Sequence, residues 1–182
     1  MDQLIKELAT KARKAGRYLA ASDYSTRVNA VLTIADALVQ RKAEILAANA
    51  ARKVSQLPDP LQQTLRERTL ANGLHLRQIS VPFGVVGMIY EARPNVTVDA
   101  AVILLMSGNA ALLRGSASAS ESNSILIKIM KDALSTTTIS PEVIQQVPSN
   151  DRNSVTALLH ARGSIDLVIP RGSAELIRMV VD

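Results

Sequence analysis

Apolar residues keep a helical period through about Lys53 and then change to short, nearly continuous runs. Leu4, Ile5, Leu8, Ala12, Ala15 and Leu19 share one side of a helix predicted over residues 2–20, with Lys6, Lys11, Arg13 and Lys14 elsewhere on its surface. Ser25 or Thr26 supplies a hydroxyl able to cap a second, longer helix, with Val28, Val31, Leu32, Ala35, Leu38, Ile45 and Leu46 as its buried stripe. That helix should fade by about Lys53, ahead of the turn imposed by Pro58 and Pro60. Two Ala-rich amphipathic helices cannot bury their stripes alone, so they must pack on each other or on the next unit of the chain.

From Leu74 the period changes. Leu74, Leu76, Gln78 and Ser80 alternate with His75, Arg77 and Ile79, which predicts a partly exposed strand. Val85–Tyr90 reads as a buried strand, and Pro94 precedes a helix over about Asn95–Ser107 with Val98, Val102, Leu105 and Met106 on its apolar face. Gly108-Asn109 supplies the left-handed ending of that helix. Ala111–Arg114 is a short strand broken by Gly115. Ser118 and Glu121 have capping-box spacing for a helix carrying Ile125, Ile129 and Ala133. Strands over Val143–Val147 and Ile165–Ile169 and helices over Asp151–His160 and Ser173–Val180 complete the pattern.

Short apolar strands alternating with helices are the mark of βαβ units. The expected fold is therefore α/β: a Rossmann-like, mainly parallel sheet with helices on both faces, preceded by an N-terminal helix pair. The divisions are 1–56 for the helix pair, 57–73 for a bridge and 74–182 for the α/β domain.

Composition narrows the chemistry. The chain has no cysteine and only His75 and His160, which excludes disulfides and cysteine-built metal sites and argues against a histidine-built one. Both histidines read as structural or solvated. Aromatics are 2%, so the core must be aliphatic, and Met88, Met106 and Met130 read as core filler. The net charge is +5, yet the basic residues are dispersed and no aromatic platform accompanies them, so nucleic acid is not an expected partner. The longest apolar run, Val98–Met106, is too short to span a bilayer, and a cytoplasmic location is the default. No G-x-S-x-G elbow supports a serine hydrolase.

In a parallel α/β sheet, ligands meet the loops leaving the carboxyl ends of strands. Glu91-Ala92-Arg93-Pro94-Asn95 is the first such loop: Asn95 could cap the following helix and Arg93 could reach an anion, or the loop is an ordinary capped turn. Arg114-Gly115-Ser116 is the second, either a phosphate or ribose contact or a tight turn. Arg171-Gly172-Ser173 is the third, a diphosphate cradle or a cap with a solvated arginine.

The strings VPFGVVGMIYEARPNVTVDA, SGNAALLRGS, ESN and IDLVIPRGSAELI, with the helix ending in EILAANA, closely resemble the gamma-glutamyl phosphate reductases of the aldehyde dehydrogenase superfamily. The resemblance covers Leu4 to about Ala50 and Leu74 onward. It implies a soluble enzyme of proline biosynthesis, using NADPH to reduce L-glutamate 5-phosphate to the 5-semialdehyde with release of phosphate through a cysteine thiolate. It also implies a homo-oligomer in the intact protein and association with the preceding kinase of the pathway.

Carried over by residue, the resemblance puts Arg114 beside the adenosine ribose phosphate and Gly115 and Ser116 along the adenosine side. Arg171, Gly172 and Ser173 fall at the diphosphate. Arg93 and Asn95 fall in the loop of the superfamily's oxyanion-stabilising asparagine, where counting from Gly84 lands on Arg93. The sequence departs from the family in two ways. The catalytic domain with its cysteine is missing from the chain, so the NADP-binding domain reads as incomplete and the 182 residues by themselves are expected to be inactive. The bridge also lacks helical sequence that the family has. A non-catalytic nucleotide-binding or interaction protein of the same fold is the alternative.

Overall fold

Three helices lead the chain in the computed structural model, which describes residues 1–40, 45–91, 93–149, 151 and 153–181; the side chains of 45–48, 175, 179 and 181 lie outside the description. Helix α1 (Asp2–Ala21) buries Ile5, Ala9, Ala12, Ala15, Gly16 and Leu19, close to the predicted stripe. Helix α2 (Tyr24–Gln40) starts earlier than expected: Asp23 is its cap, Oδ1 accepting the Thr26 N–H at 2.6 Å, and neither Ser25 nor Thr26 serves. A carboxylate satisfies that N–H and the positive helix end together.

The expected long second helix is two helices. α2 ends at Gln40 and α3 (Ile45–Ser55) packs back against it, which one continuous helix could not do. Ala51 and Val54 of α3 join Ala30, Val31, Ile34, Ala35 and Leu38 of α2 in one core, and Arg52 meets Asp36 at 2.6 Å. The expected positions Ile45 and Leu46 lie outside the described side chains.

The bridge carries a strand the periodicity did not show. β1 (Thr64–Thr69) and β2 (His75–Ile79) form an antiparallel hairpin exposed along both strands. TLRERT has no apolar face because neither side is buried. The readable signal was Asn72-Gly73, with Gly73 at φ 86°, a turn only glycine adopts readily.

The main sheet has four parallel strands: β3 (Val85–Tyr90), β4 (Ala110–Arg114), β5 (Ile144–Gln146) and β6 (Leu167–Arg171), in the order β5-β4-β3-β6. Both faces of β3 and β4 are buried. Val86, Tyr90, Ala111 and Leu113 pack with α2, α4 (Pro94–Met106) and α5 (Ser120–Leu134). Val85, Ile89, Ala110 and Leu112 pack with the first half of α1, α6 (Asn153–His160) and α7 (Ala174–Val181). The two-sided covering explains the continuous apolar runs. β6 runs two residues later than read and holds Pro170, which the sheet edge tolerates.

Three local readings are corrected. Asn95 does not cap α4: Pro94 opens the helix, so Asn95 already lies inside its first turn and Arg93 is the cap position, with no side-chain bond. Ser118 and Glu121 form no capping box. Instead the Ser116 Oγ accepts the Ser118 N–H at the head of a short 3-10 turn, Ala117–Ala119, and α5 starts after it. The extra turn rotates α5 so that Ile125 faces solvent and Leu126, Ile127 and Met130 are buried beside Ile129 and Ala133.

Among the described residues, one charged side chain is buried on this framework. Arg27 is 2% exposed, and its guanidinium donates to the carbonyls of Met106 and Ser22 and, twice, to the Asp59 carboxylate. It ties the start of α2, the end of α4 and the approach to the hairpin together. Asp59→Asn should destabilise the fold by about 3 kcal/mol, the low end for breaking a buried pair, because Arg27 keeps two carbonyl acceptors. Urea unfolding checks this, and a midpoint unchanged from wild type would show the pair to be worth little.

Candidate functional site

Connections from β3 through α4, β4, α5 and β5 build the sheet in one direction, and β6 then returns to the other side of β3. Neighbouring loops therefore part at the carboxyl ends of β3 and β6, where open α/β sheets form their binding crevice. The register places Arg114 beside Ile89 and Arg171 beside Tyr90, so the two arginines bracket the end of β3. Strand β5 lies between the two loops in the chain, and the sheet order brings them together on either side of β3. A cleft of about 220 Å³ is lined by Tyr90, Glu91, Arg93, Val96, Arg171 and Gly172. A larger hollow of about 810 Å³, along Arg13, Lys14, Arg17 and Ser164, contains no strand-end loop.

Each expected residue has a definite place. Arg114 is half-buried, its Nε donating to the Ser154 Oγ at 3.1 Å and Nη2 to the Ser149 carbonyl at 3.4 Å. Burial lowers its pKa from the usual value, and an arginine so held remains charged at neutral pH. Gly115 is glycine for a packing reason: a Cβ there would stand 2.3 Å from the Asn123 Nδ2 and 3.0 Å from the Tyr90 ring. Ser116 pairs with Ser118 through their hydroxyls at 2.9 Å.

At the third loop, the Ser173 Oγ accepts the Leu176 N–H at 3.4 Å, while the Ser173 backbone N–H donates to the Glu91 Oε1 at 2.8 Å. That backbone hydrogen bond, with help from the Ser173 side chain and Arg93, holds the Glu91 carboxyl below its ordinary pKa. Arg171 is exposed and lies near Asp99, whose carboxyl is pushed up by burial and drawn back by the Arg171 charge. Arg93 and Asn95 are both exposed. Arg93 lines the cleft, and Asn95 is not among its lining residues.

Sequence reasoning passed over the floor of the site. The Tyr90 hydroxyl and the Thr97 Oγ1 lie 2.8 Å apart, and Thr97 donates to the Asn123 Oδ1 at 2.8 Å. Since Thr97 has one proton to give, Tyr90 is the donor to Thr97. The signal was available: Thr97 and Asn123 are polar residues whose neighbours three and four positions on (Ala100 and Ala101, Leu126 and Ile127) are buried. Glu91 was quoted within its motif and given no role.

Burial raises the Tyr90 phenol from 10.0 to about 12, against a smaller lowering by Thr97. The folded pKa lies above the unfolded one. The stability this group confers is therefore complete below pH 10 and lost as pH rises toward 12. Absorbance titration should show one of the three tyrosines ionising late, and Tyr90→Phe should remove that phase; a single transition near 10 for all three would refute the buried network. Gly115→Ala should cost about 1–3 kcal/mol from overpacking and shift the same phase.

No family model matches the chain. A gamma-glutamyl phosphate reductase from Thermobifida fusca is 41% identical over 214 positions, covering all of this chain and 51% of that protein. Those 214 positions exceed the chain's 182 residues, so the matched span of the relative includes residues with no counterpart here. The crystal structure of gamma-glutamyl phosphate reductase from Thermotoga maritima superposes with a TM-score of 0.92 at 30% identity, over 98% of this chain and 51% of that one. A propionaldehyde dehydrogenase from Rhodopseudomonas palustris shares the fold, with a TM-score of 0.79 at 17% identity, over 98% of this chain and 43% of that one. The chain thus spans about half the length of the relatives it matches. Sequence and fold together relate this chain to the gamma-glutamyl phosphate reductases, within the aldehyde dehydrogenase-like architecture.

Proposed function

We propose that the chain is the dinucleotide-binding part of an NADPH-dependent gamma-glutamyl phosphate reductase, which converts L-glutamate 5-phosphate to L-glutamate 5-semialdehyde with release of phosphate. The observation that carries this reading is the whole-chain match to that enzyme, joined to a crevice whose strand ends bear arginine on either side of β3. Arg114 would hold the ribose phosphate of the adenosine half. Its guanidinium is already oriented by Ser154 and Ser149, with donors left over for a ligand. The neighbouring Ser149 Oγ is buried without a hydrogen-bond partner among the described residues, as expected beside a polar ligand or water. Gly115 and Ser116 would lie along the adenosine, and Arg171, Gly172 and Ser173 would receive the diphosphate. Arg93, lining the cleft, would face the reacting carbonyl, with Asn95 the weaker candidate. When bound, the dinucleotide supplies the hydride.

The 182 residues themselves contain no cysteine. No other side chain matches a thiolate as the nucleophile this reaction needs near neutral pH. The 182-residue chain mixed with glutamyl 5-phosphate and NADPH is therefore expected to leave the NADPH unconsumed, and turnover by this chain alone would overturn that expectation.

The cofactor assignment is tested at Arg114. If its guanidinium meets the extra phosphate, Arg114→Ala should weaken NADPH more than NADH, by roughly tenfold to a hundredfold, since a charge-assisted contact is worth about 1.5–3 kcal/mol. Calorimetric titration of both proteins with both cofactors gives the answer. Equal losses would show that Arg114 serves only the strand end and its two serine contacts.

A further inference from the structure

The Ser173 N–H, at the positive end of α7, already has an anionic partner inside the chain. Glu91 is the first residue after β3, and its carboxylate reaches across the switch-point crevice to that N–H. The same group lies against Gly172, where an added Cβ would stand 2.8 Å from both its Cδ and its Oε1. A larger residue at 172 would therefore push Glu91 away from Ser173. A phosphate oxygen makes the same demand on this turn as the carboxylate does, an N–H at a helix start. Both anions cannot have it, and inside one cleft of about 220 Å³ they also repel.

The geometry points to Glu91 as an internal occupant of the diphosphate seat, a gate that must leave Ser173 before a dinucleotide can dock and that returns when the ligand goes. The inference rests on the cofactor reading above. The charged groups around the gate suit such a movement. Arg93 stands on the same loop and Arg171 ends the adjacent strand, both in the cleft, so a displaced carboxylate finds a guanidinium nearby. Asp99, on α4, lies close enough to Arg171 to feel its charge and keeps that arginine from being wholly free for Glu91. Glu91 itself is exposed, so no packing is lost when it swings. Its lowered pKa keeps it ionised, and in competition with phosphate, across the neutral range.

The gate makes a prediction opposite in sign to that of a ligand contact. Inorganic pyrophosphate is titrated into the full chain, wild type, Glu91→Gln and Glu91→Ala, while the backbone amide of Ser173 is followed by NMR. Both substitutions lie at an exposed side chain, and unchanged circular dichroism confirms their folding. The Ser173 signal should shift in both unliganded variants, and pyrophosphate should bind each roughly three- to tenfold tighter than wild type. NADPH affinity should rise by a similar factor. Unchanged or weaker pyrophosphate binding in both variants would overturn the gate, even if NADPH binds normally. If pyrophosphate shows the expected pattern and NADPH binds none of the three proteins, the gate over an anion seat stands and the cofactor reading falls.

Discussion

Strands β4 and β6 take their register directly from β3, and β5 takes its own through β4; β3 is held at its start by two side chains that bond its backbone. The Asn109 Oδ1 accepts the Gly84 N–H at 2.9 Å, and the Asp166 Oδ2 accepts the Val85 N–H at 2.7 Å. The adjoining carbonyls are taken by the N–H groups of Ala110 and Asp166. Gly84 has φ 122°, and a Cβ on it would stand 2.3 Å from the Asp166 Oδ2, so the clamp needs glycine here. Asp166 also receives Arg13, which fastens α1 to the same point. A slip of one residue would exchange the two faces of β3, sending Val86 and Tyr90 where Val85 and Ile89 belong. The clamp at one end of the strand therefore decides what stands at the other: Arg114 on one side, Arg171 on the other.

Between those ends the core is aliphatic, with few polar groups inside. Arg27 is the largest fully buried side chain among the described residues, and its bonds to Met106 and Asp59 join elements distant in sequence. Its desolvation is offset only because carbonyl and carboxylate acceptors surround it. Tyr90, Thr97 and Asn123 form a second hydrogen-bonded polar group in the core, directly beneath the crevice. Gly115 closes over them. A rigid, hydrogen-bonded floor keeps the strand-end loops at fixed spacing, which a purely aliphatic layer would hold less specifically.

Above that floor the crevice is a balance of charge. Arg93 and Arg171 line it with Glu91, Asp99 lies near Arg171, and Arg114 stands one strand away. Under the proposed gate, an anionic ligand would be favoured only once Glu91 has left the Ser173 N–H. The relatives matched are about twice this chain's length, and the thiolate chemistry of the proposed reaction has no residue here to perform it.

The amino-acid pattern determined the alternation of strands and helices from Val85 onward, because strands buried on both faces must be apolar throughout and their helices must carry a stripe. It also singled out the loops at Arg93, Arg114 and Arg171, since glycine, arginine and hydroxyl residues at strand ends are few in so aliphatic a chain. It did not reveal β1, whose exposed strand leaves no periodic trace, or the break between α2 and α3, whose stripes continue as though in one helix. The order β5-β4-β3-β6 was decided by tertiary structure, because pairing between strands far apart in sequence writes nothing into local period. So was the pairing of Glu91 with Ser173, 82 positions apart: only the fold places a carboxylate after β3 against the turn beyond β6.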